Sequence, residues 1–319
     1  MRKQPKPTLE AFPVTIDSDI LKNEEKISFA LRSLYHRKGY APYRMGKFED
    51  YELYVKNKDF LPTSELISFT DTNGRLKALK PDVTLSIVRS ARPEAGQVQK
   101  LYYDENVYRV SESSRCFKEI RQAGLECIGE MNEDLIAEVL GLAQESLRLI
   151  SDGSVLSVSH LGIVGGMLDA LQLEADARRQ ALGFIAGKSL HELASLLRRS
   201  GAEKEAAERL LALTACSGAP AEVLETLRTL ACPQAALSEL ERLTAKLDEK
   251  SLRLDFSILG DMRYYNGIAF QGYVPGVPSG VLSGGQYDRL LHRMGKKGGA
   301  IGFACYLDKL ERLEVKGHA

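Results

Sequence analysis

A chain of 319 residues with 44% apolar and 27% charged side chains is long enough to bury a sizeable core and too apolar to stay unfolded. Its 43 Lys+Arg balance 43 Asp+Glu, and this net charge of zero argues against a broad nucleic-acid footprint, leaving room only for a local basic patch. The five cysteines include no Cys-x-x-Cys spacing, the N-terminus has no apolar leader and no run reaches roughly 18 apolar residues, so the expectation is a reducing cytoplasm with no disulfide framework, zinc site or membrane span.

Residues 18–38 carry Ile27, Ala30, Leu31, Leu34 and Tyr35 at helical spacing, and this stripe stops at Gly39. Strand-like segments follow to about residue 130. Asn73-Gly74 lies between the runs 67–70 and 76–79, which predicts a hairpin. Pro81 can open a short helix through Ala91, since a proline in the first turn loses no hydrogen bond. Asp82 and Thr84 at its start either cap it or receive an ammonium group. Residues 101–110 and 117–128 read as two strands joined by a polar loop. Arg109, near the end of the first, either pairs with a carboxylate or phosphate or is an exposed edge side chain.

On the second strand Gln122, Gly124 and Glu126 share one face, leaving a polar-walled cavity with an open floor, or else a solvent-facing edge. Residues 133–150 form an amphipathic helix through Leu135, Ile136, Val139, Leu142, Ala143 and Leu147. From 162 to 250 the chain is rich in Ala, Leu, Glu and Arg, with stops at Gly187, Gly201 and Gly218, and reads as a wholly helical insert. Strands return over 252–283, and a helix, a strand and a helix end the chain. Tyr264 and Tyr265 would alternate faces on such a strand, one ring entering the binding face while the other packs, or else both are core tyrosines. Ser283-Gly284-Gly285 either lets backbone approach a ligand or makes a plain turn. Strands, a helical insert and more strands predict an α+β fold, an antiparallel sheet flanked by helices, with one domain from 1–161 and 251–319 and a helical subdomain over 162–250.

Taken in order, these segments resemble the catalytic domain of histidyl-tRNA synthetase, a class II aminoacyl-tRNA synthetase. Leu79-Lys80-Pro81-Asp82-Val83-Thr84 is similar to that family's first histidine-contacting segment, with Asp82 for its usual Glu. Val107-Tyr108-Arg109 resembles the motif 2 strand with its ATP-contacting arginine, and Gln122-Ala123-Gly124-Leu125-Glu126 resembles the segment that holds the amino acid. Tyr264-Tyr265 and Gly284-Gly285-Gln286-Tyr287-Asp288 resemble the histidine-specific segments, and Ala300-Ile301-Gly302-Phe303-Ala304 the entry to motif 3. The resemblance implies a histidine site made of Asp82, Thr84, Arg109, Gln122, Glu126, Tyr264, Tyr265 and Gly284. Glu126 would meet the imidazole from one side and a tyrosine of the 264–265 pair, Tyr265 by preference, from the other. Asp82 would receive the α-ammonium group, completed by Thr84 and Gln122.

The departures bear on activity. Gly260 stands where the family has the arginine that stabilises charge during histidine activation. Lys309 stands for the motif 3 arginine that grips ATP, Tyr306 for the glycine before it, and Ser111 for a motif 2 acid, with Glu112 one position on. Lysine cannot reproduce a bidentate arginine contact. The sequence given also stops a few residues after motif 3, without an anticodon-binding domain. In this it resembles the regulatory subunits of ATP phosphoribosyltransferase, paralogues of the synthetases. That likeness implies no catalysis of its own, no metal or cofactor and no tRNA. It implies instead a short-form catalytic subunit as partner, L-histidine as feedback effector in the first step of histidine biosynthesis, and a homodimer within a hetero-octamer of four and four chains. The alternatives are a reduced histidine-activating enzyme and a histidine-sensing protein acting on another partner.

Overall fold

The computed structural model describes residues 18–311 except 59, 62, 95, 112, 113, 261 and 263. Helix α1 (Asn23–Arg37) buries Ile27, Leu31, Leu34 and Tyr35, the stripe read from the sequence. After the short strands β1 (Ala41–Pro42) and β2 (Phe48–Asp50) and helix α2 (Tyr51–Lys56) comes the hairpin of β3 (Ser68–Thr70) and β4 (Leu76–Leu79). Its turn is closed by Asp71 Oδ1, which accepts from the N–H groups of Asn73 (2.8 Å) and Arg75 (2.9 Å). Helix α3 (Thr84–Ser90) starts three residues later than a first-turn Pro81 would have it, because Asp82 Oδ1 takes the Leu85 N–H (2.7 Å) and sets the entry to the helix.

The two longest strands, β5 (Val98–Val110) and β6 (Phe117–Gly129), pair antiparallel over their whole length. Helix α4 (Glu133–Ile150) is capped by Asn132 Oδ1 on the Leu135 N–H (2.9 Å) and leads to β7 (Val155–His160). The expected helical stretch holds α5 (Leu161–Ala170), α6 (Ala175–Ala186), α7 (Leu190–Arg199), α8 (Lys204–Ala215), α9 (Pro220–Thr229) and α10 (Gln234–Thr244). It also holds one two-residue strand, β8 (Ser217–Gly218), so it is not wholly helical. The chain then returns through β9 (Leu252–Asp255), β10 (Ile268–Tyr273), β11 (Leu282–Gln286), α11 (Asp288–Arg293) and β12 (Gly299–Tyr306), ending the described residues in a 3-10 turn at Leu307–Leu310.

Nine strands form one sheet in the order β1-β5-β6-β12-β11-β10-β7-β9-β8, and β2-β4-β3 form a small second sheet. The large sheet is antiparallel except for β1 with β5 and β7 with β9, which run parallel. Parallel neighbours need a crossover of a dozen or more residues. The helical stretch supplies it between β7 and β9, and the small sheet with α3 supplies it between β1 and β5. Alternation along β6 divides its side chains. Ala123, Leu125 and Cys127 join the core shared with α1 and α4, and that core runs on into the helical stretch through Leu193, Leu213, Leu227 and Leu240. Gln122, Gly124 and Glu126 face the other way, toward α3 and α11, where a second cluster holds Tyr103, Val107, Tyr264 and Tyr287.

Candidate functional site

On that second face a cavity of about 200 Å³ opens over β6 and β12. Drug-sized ligand pockets run to roughly 300–1,000 Å³, so this one suits a compact ligand. Its floor is Gln122, Glu126 and Gly302; its sides come from Asp82 and Thr84 at the start of α3, Tyr103 and Arg109 on β5, and Tyr264, Tyr265 and Tyr287. A larger cavity of about 520 Å³ lies where α5 and α6 meet residues 262–266. Its guanidinium groups are already engaged, Arg178 with Asp169 (2.7 Å) and Arg289 with the Met262 carbonyl (2.9 Å), and Asp169 is exposed. The smaller cavity, with its buried carboxyl groups, is the stronger candidate.

Glu126 is 2% exposed and sits at the centre. Its Oε1 accepts from Thr84 Oγ1 (2.6 Å) and its Oε2 from the Tyr287 hydroxyl. Burial pushes its pKa up to about 8; the two hydroxyl donors pull it down and the charge of Asp82 pushes it up. Asp82 is also raised, again by burial, although the Arg109 guanidinium and the N–H groups at the start of α3 favour its charged form. Arg109 is the one cation among the described lining residues. Its Nε donates to the Pro81 carbonyl (2.8 Å), and its other nitrogens lie 3.8 Å from Glu65 and 3.9 Å from Asp82. Gln122, 5% exposed, completes the polar floor.

The aromatic side is a stack rather than a single ring. Tyr264 lies flat against Tyr287, with centroids 5.3 Å apart and planes within 6°, and meets Tyr265 edge-on at 4.6 Å. Tyr264 and Tyr265 occupy a loop before β10, not a strand, so they do not alternate faces and both line the cavity. Glu126 is bonded to a further tyrosine, Tyr287. Thr84 reaches Glu126 rather than standing apart with Asp82. The assignment of Gly284 is corrected as well. On β11, Ser283 faces the cavity and Gly284 faces the core, where a Cβ would lie 2.4 Å from the Gly302 carbonyl and 2.6 Å from the Phe270 ring. Gly302 takes the role expected of it: a Cβ there would lie 1.8 Å from Glu126 Oε2.

Tyr287, Tyr103 and Gly302 were not in the expected site. Tyr287 and Gly302 stand inside motifs that the sequence singled out. Tyr103 carried a weaker signal, pairing across the sheet with Gly124, whose Cβ would lie 2.6 Å from its hydroxyl. At the altered positions, Gly260 has a left-handed backbone (φ +53°) and packs on Tyr265, where a Cβ would lie 2.6 Å from the ring. Lys309 donates to the Gly280 carbonyl (2.7 Å) with its ammonium 4.7 Å from the Tyr306 ring centroid. Glu112 lies outside the described residues. Among the described residues no cluster of His, Cys, Asp and Glu could hold a metal ion, and no helix is long and apolar enough to cross a membrane.

A large, mostly antiparallel sheet with an amino-acid-sized polar cavity on one face, helices on the other and a helical insert is a class II synthetase-like fold. The Histidyl-tRNA synthetase family model matches residues 17–310, and the chain belongs to that family. Within it, a protein of Oceanobacillus iheyensis named ATP phosphoribosyltransferase regulatory subunit is 25% identical over 309 residues, covering 94% of this chain and 76% of its own. A Bacillus halodurans structure described as an ATP phosphoribosyltransferase regulatory subunit/histidyl-tRNA synthetase superposes with a TM-score of 0.80 at 24% identity, over 96% of this chain and 83% of that one. A chain of the ATP phosphoribosyl transferase (HisG:HisZ) complex from Thermotoga maritima superposes with a TM-score of 0.71 at 21% identity, over 89% of this chain and 97% of that one.

Proposed function

We propose that the chain is a non-catalytic regulatory subunit of ATP phosphoribosyltransferase, working with a short-form catalytic subunit and binding histidine as the feedback effector in the cavity around Glu126. The observation that carries this reading is the survival of the ring-binding end without the charge-stabilising end. Glu126, Thr84 and Tyr287 form a connected group around a buried carboxyl, while Gly260, which by the resemblance stands for an arginine, packs its backbone on Tyr265. Asp82 then takes the α-ammonium group, and Gln122 and Arg109 the rest of the amino-acid end. The name of the Oceanobacillus relative and the complex in which the Thermotoga chain was solved support the regulatory role and the kind of partner. A homodimer within a hetero-octamer, and a helical subdomain over 162–250, belong to the same proposal. Arg109 in the cavity wall is what favours the second reading, histidine activation by the chain itself. Its guanidinium is held beside Asp82 by the Pro81 carbonyl and Glu65, which keeps it at the amino-acid end and counts against that reading.

The test is phosphoribosyl-ATP formation by the complex reconstituted with a short-form catalytic subunit, across a histidine titration. Loss of one charged partner in a buried polar site costs about 2–5 kcal/mol, on the order of 30-fold or more in affinity. Glu126→Ala and Asp82→Ala are therefore expected to move half-inhibition to far higher histidine. Because coupling is reciprocal, the inhibited complex should bind histidine more tightly than the active one. Unchanged histidine sensitivity in both variants, with assembly confirmed by gel filtration, would put the effector site elsewhere.

A further inference from the structure

Glu126 is buried, and among the described residues no cation bonds to it. From α3 it meets the Thr84 hydroxyl, and from the start of α11 the Tyr287 hydroxyl. The charged group that bears on it is Asp82, of its own sign. Tyr103 from β5 and Tyr264 from the loop before β10 face the same space, and burial pushes both phenols, like that of Tyr287, well above their ordinary range, so all three are neutral. On β12 its neighbour is Gly302, and beside it on β6 is Cys127, whose thiol burial pushes up to about 12. Arg109 is turned to the Pro81 carbonyl, Glu65 and Asp82. A carboxyl group in these surroundings keeps its proton at neutral pH, consistent with its pKa of about 8. Free imidazole, titrating near about 6.5, is mostly neutral there too.

We propose that Glu126 holds in the empty cavity the proton that converts bound histidine to imidazolium. On binding, the Glu126 O–H bond breaks and an N–H bond forms on the nearer ring nitrogen. The carboxylate left behind is held by Thr84, Tyr287 and the new cation. This rests on reading the cavity as a histidine site. Two features of the geometry favour the transfer. Hydroxyl groups donate or accept, so Thr84 and Tyr287 serve both states of Glu126 without moving. The ring also enters neutral, so neither the imidazolium nor the carboxylate of this pair has to leave water before the pair forms, and that desolvation is what makes buried ion pairs costly. The device selects for ring basicity as well as shape. Triazolylalanine, a histidine isostere whose ring is a much weaker base, cannot take the proton and should bind less tightly.

The proton count on binding separates this from an ordinary ionised carboxylate. With a free Glu126 near 8 and free imidazole near 6.5, the pair contains one proton before and after binding at pH 7.2, and one too many at pH 5.5. Histidine is titrated calorimetrically into the full chain at both pH values, each in two buffers of different ionisation enthalpy. The expected result is close to one proton released at pH 5.5 and close to none exchanged at pH 7.2. Asp82→Asn, which removes the neighbouring carboxyl from the count and the charge that helps raise Glu126, should bind more weakly, keep the release at pH 5.5 and move the count at pH 7.2 toward uptake. Uptake of most of one proton at pH 7.2 with none exchanged at pH 5.5 would overturn the proposal while leaving the histidine site intact, because Glu126 would be ionised before the ligand arrives. Absence of any histidine heat at either pH would overturn the site reading itself, and the proposal with it.

Discussion

At the β6 end of the cavity Glu126 is enclosed by two hydroxyl groups, whereas toward Tyr265 and Tyr306 the cations among the described residues, Arg109 and Lys309, each donate to a backbone carbonyl. Gly260 offers backbone against the Tyr265 ring, and Lys309 is turned to the Gly280 carbonyl over Tyr306. On the proposed reading, binding and chemistry part company within one scaffold by a few substitutions, because a preorganised positive charge belongs to single side chains while the cavity belongs to the sheet.

Neutralising the buried end sharpens this contrast most. The folded pKa of Glu126 is about 8 against an ordinary 4.5, so its ionisation costs the native state nothing below pH 4.5. The cost then grows as pH rises to 8 and stays constant above. Glu126→Gln removes that dependence. Relative to wild type, the variant should gain up to about 4 kcal/mol of unfolding free energy between pH 5 and pH 8.5 without ligand. Urea unfolding at the two pH values measures it, and a gap that does not change with pH would mean that Glu126 is solvated.

A smaller effect is expected at Gly302. A Cβ there would sit 1.8 Å from Glu126 Oε2 and 2.5 Å from the Leu125 carbonyl, so either the carboxylate or the pairing of β12 with β6 must shift. Gly302→Ala should cost about 1–3 kcal/mol in stability and weaken histidine binding, checked by denaturation and calorimetry on one preparation. The smallest change belongs to the other region. Lys309→Met removes one hydrogen bond to the Gly280 carbonyl, about 1 kcal/mol at most, and histidine affinity should stay within about twofold. A large loss of histidine affinity in this variant would erase the distinction between the two regions.

Sequence reached the sheet strands and helices through periodicity. Gln122 and Glu126 on one face of β6 and the stripe of α1 follow from spacing of two and 3.6 residues, and the Asn73-Gly74 turn from its residue types. It went wrong where position depends on the third dimension. Tyr264 and Tyr265 have strand-like neighbours but sit in a loop, because Gly260 turns left-handed and Asn266 N–H is taken by the Gln286 carbonyl (3.1 Å). Gly284 stands one residue from the cavity face, and a one-residue step on a strand reverses the side chain. Tyr287 was named in a motif, yet its reach to Glu126 spans 161 residues of sequence and depends on the turn from β11 into α11. The parallel pairs at both ends of the sheet were likewise invisible, since they are set by long crossovers rather than local pattern.

The most direct measurement is histidine-dependent ATP–pyrophosphate exchange by the isolated chain, at histidine concentrations that calorimetry shows to saturate the cavity. Removing one preorganised charge-stabilising group commonly lowers a rate by about 10²–10³, and the resemblance to the synthetases implies that Gly260 and Lys309 stand at two such positions. Saturable histidine binding with exchange at background is the expected result. Exchange at rates typical of synthetases would contradict it, and would make the chain an enzyme rather than a sensor.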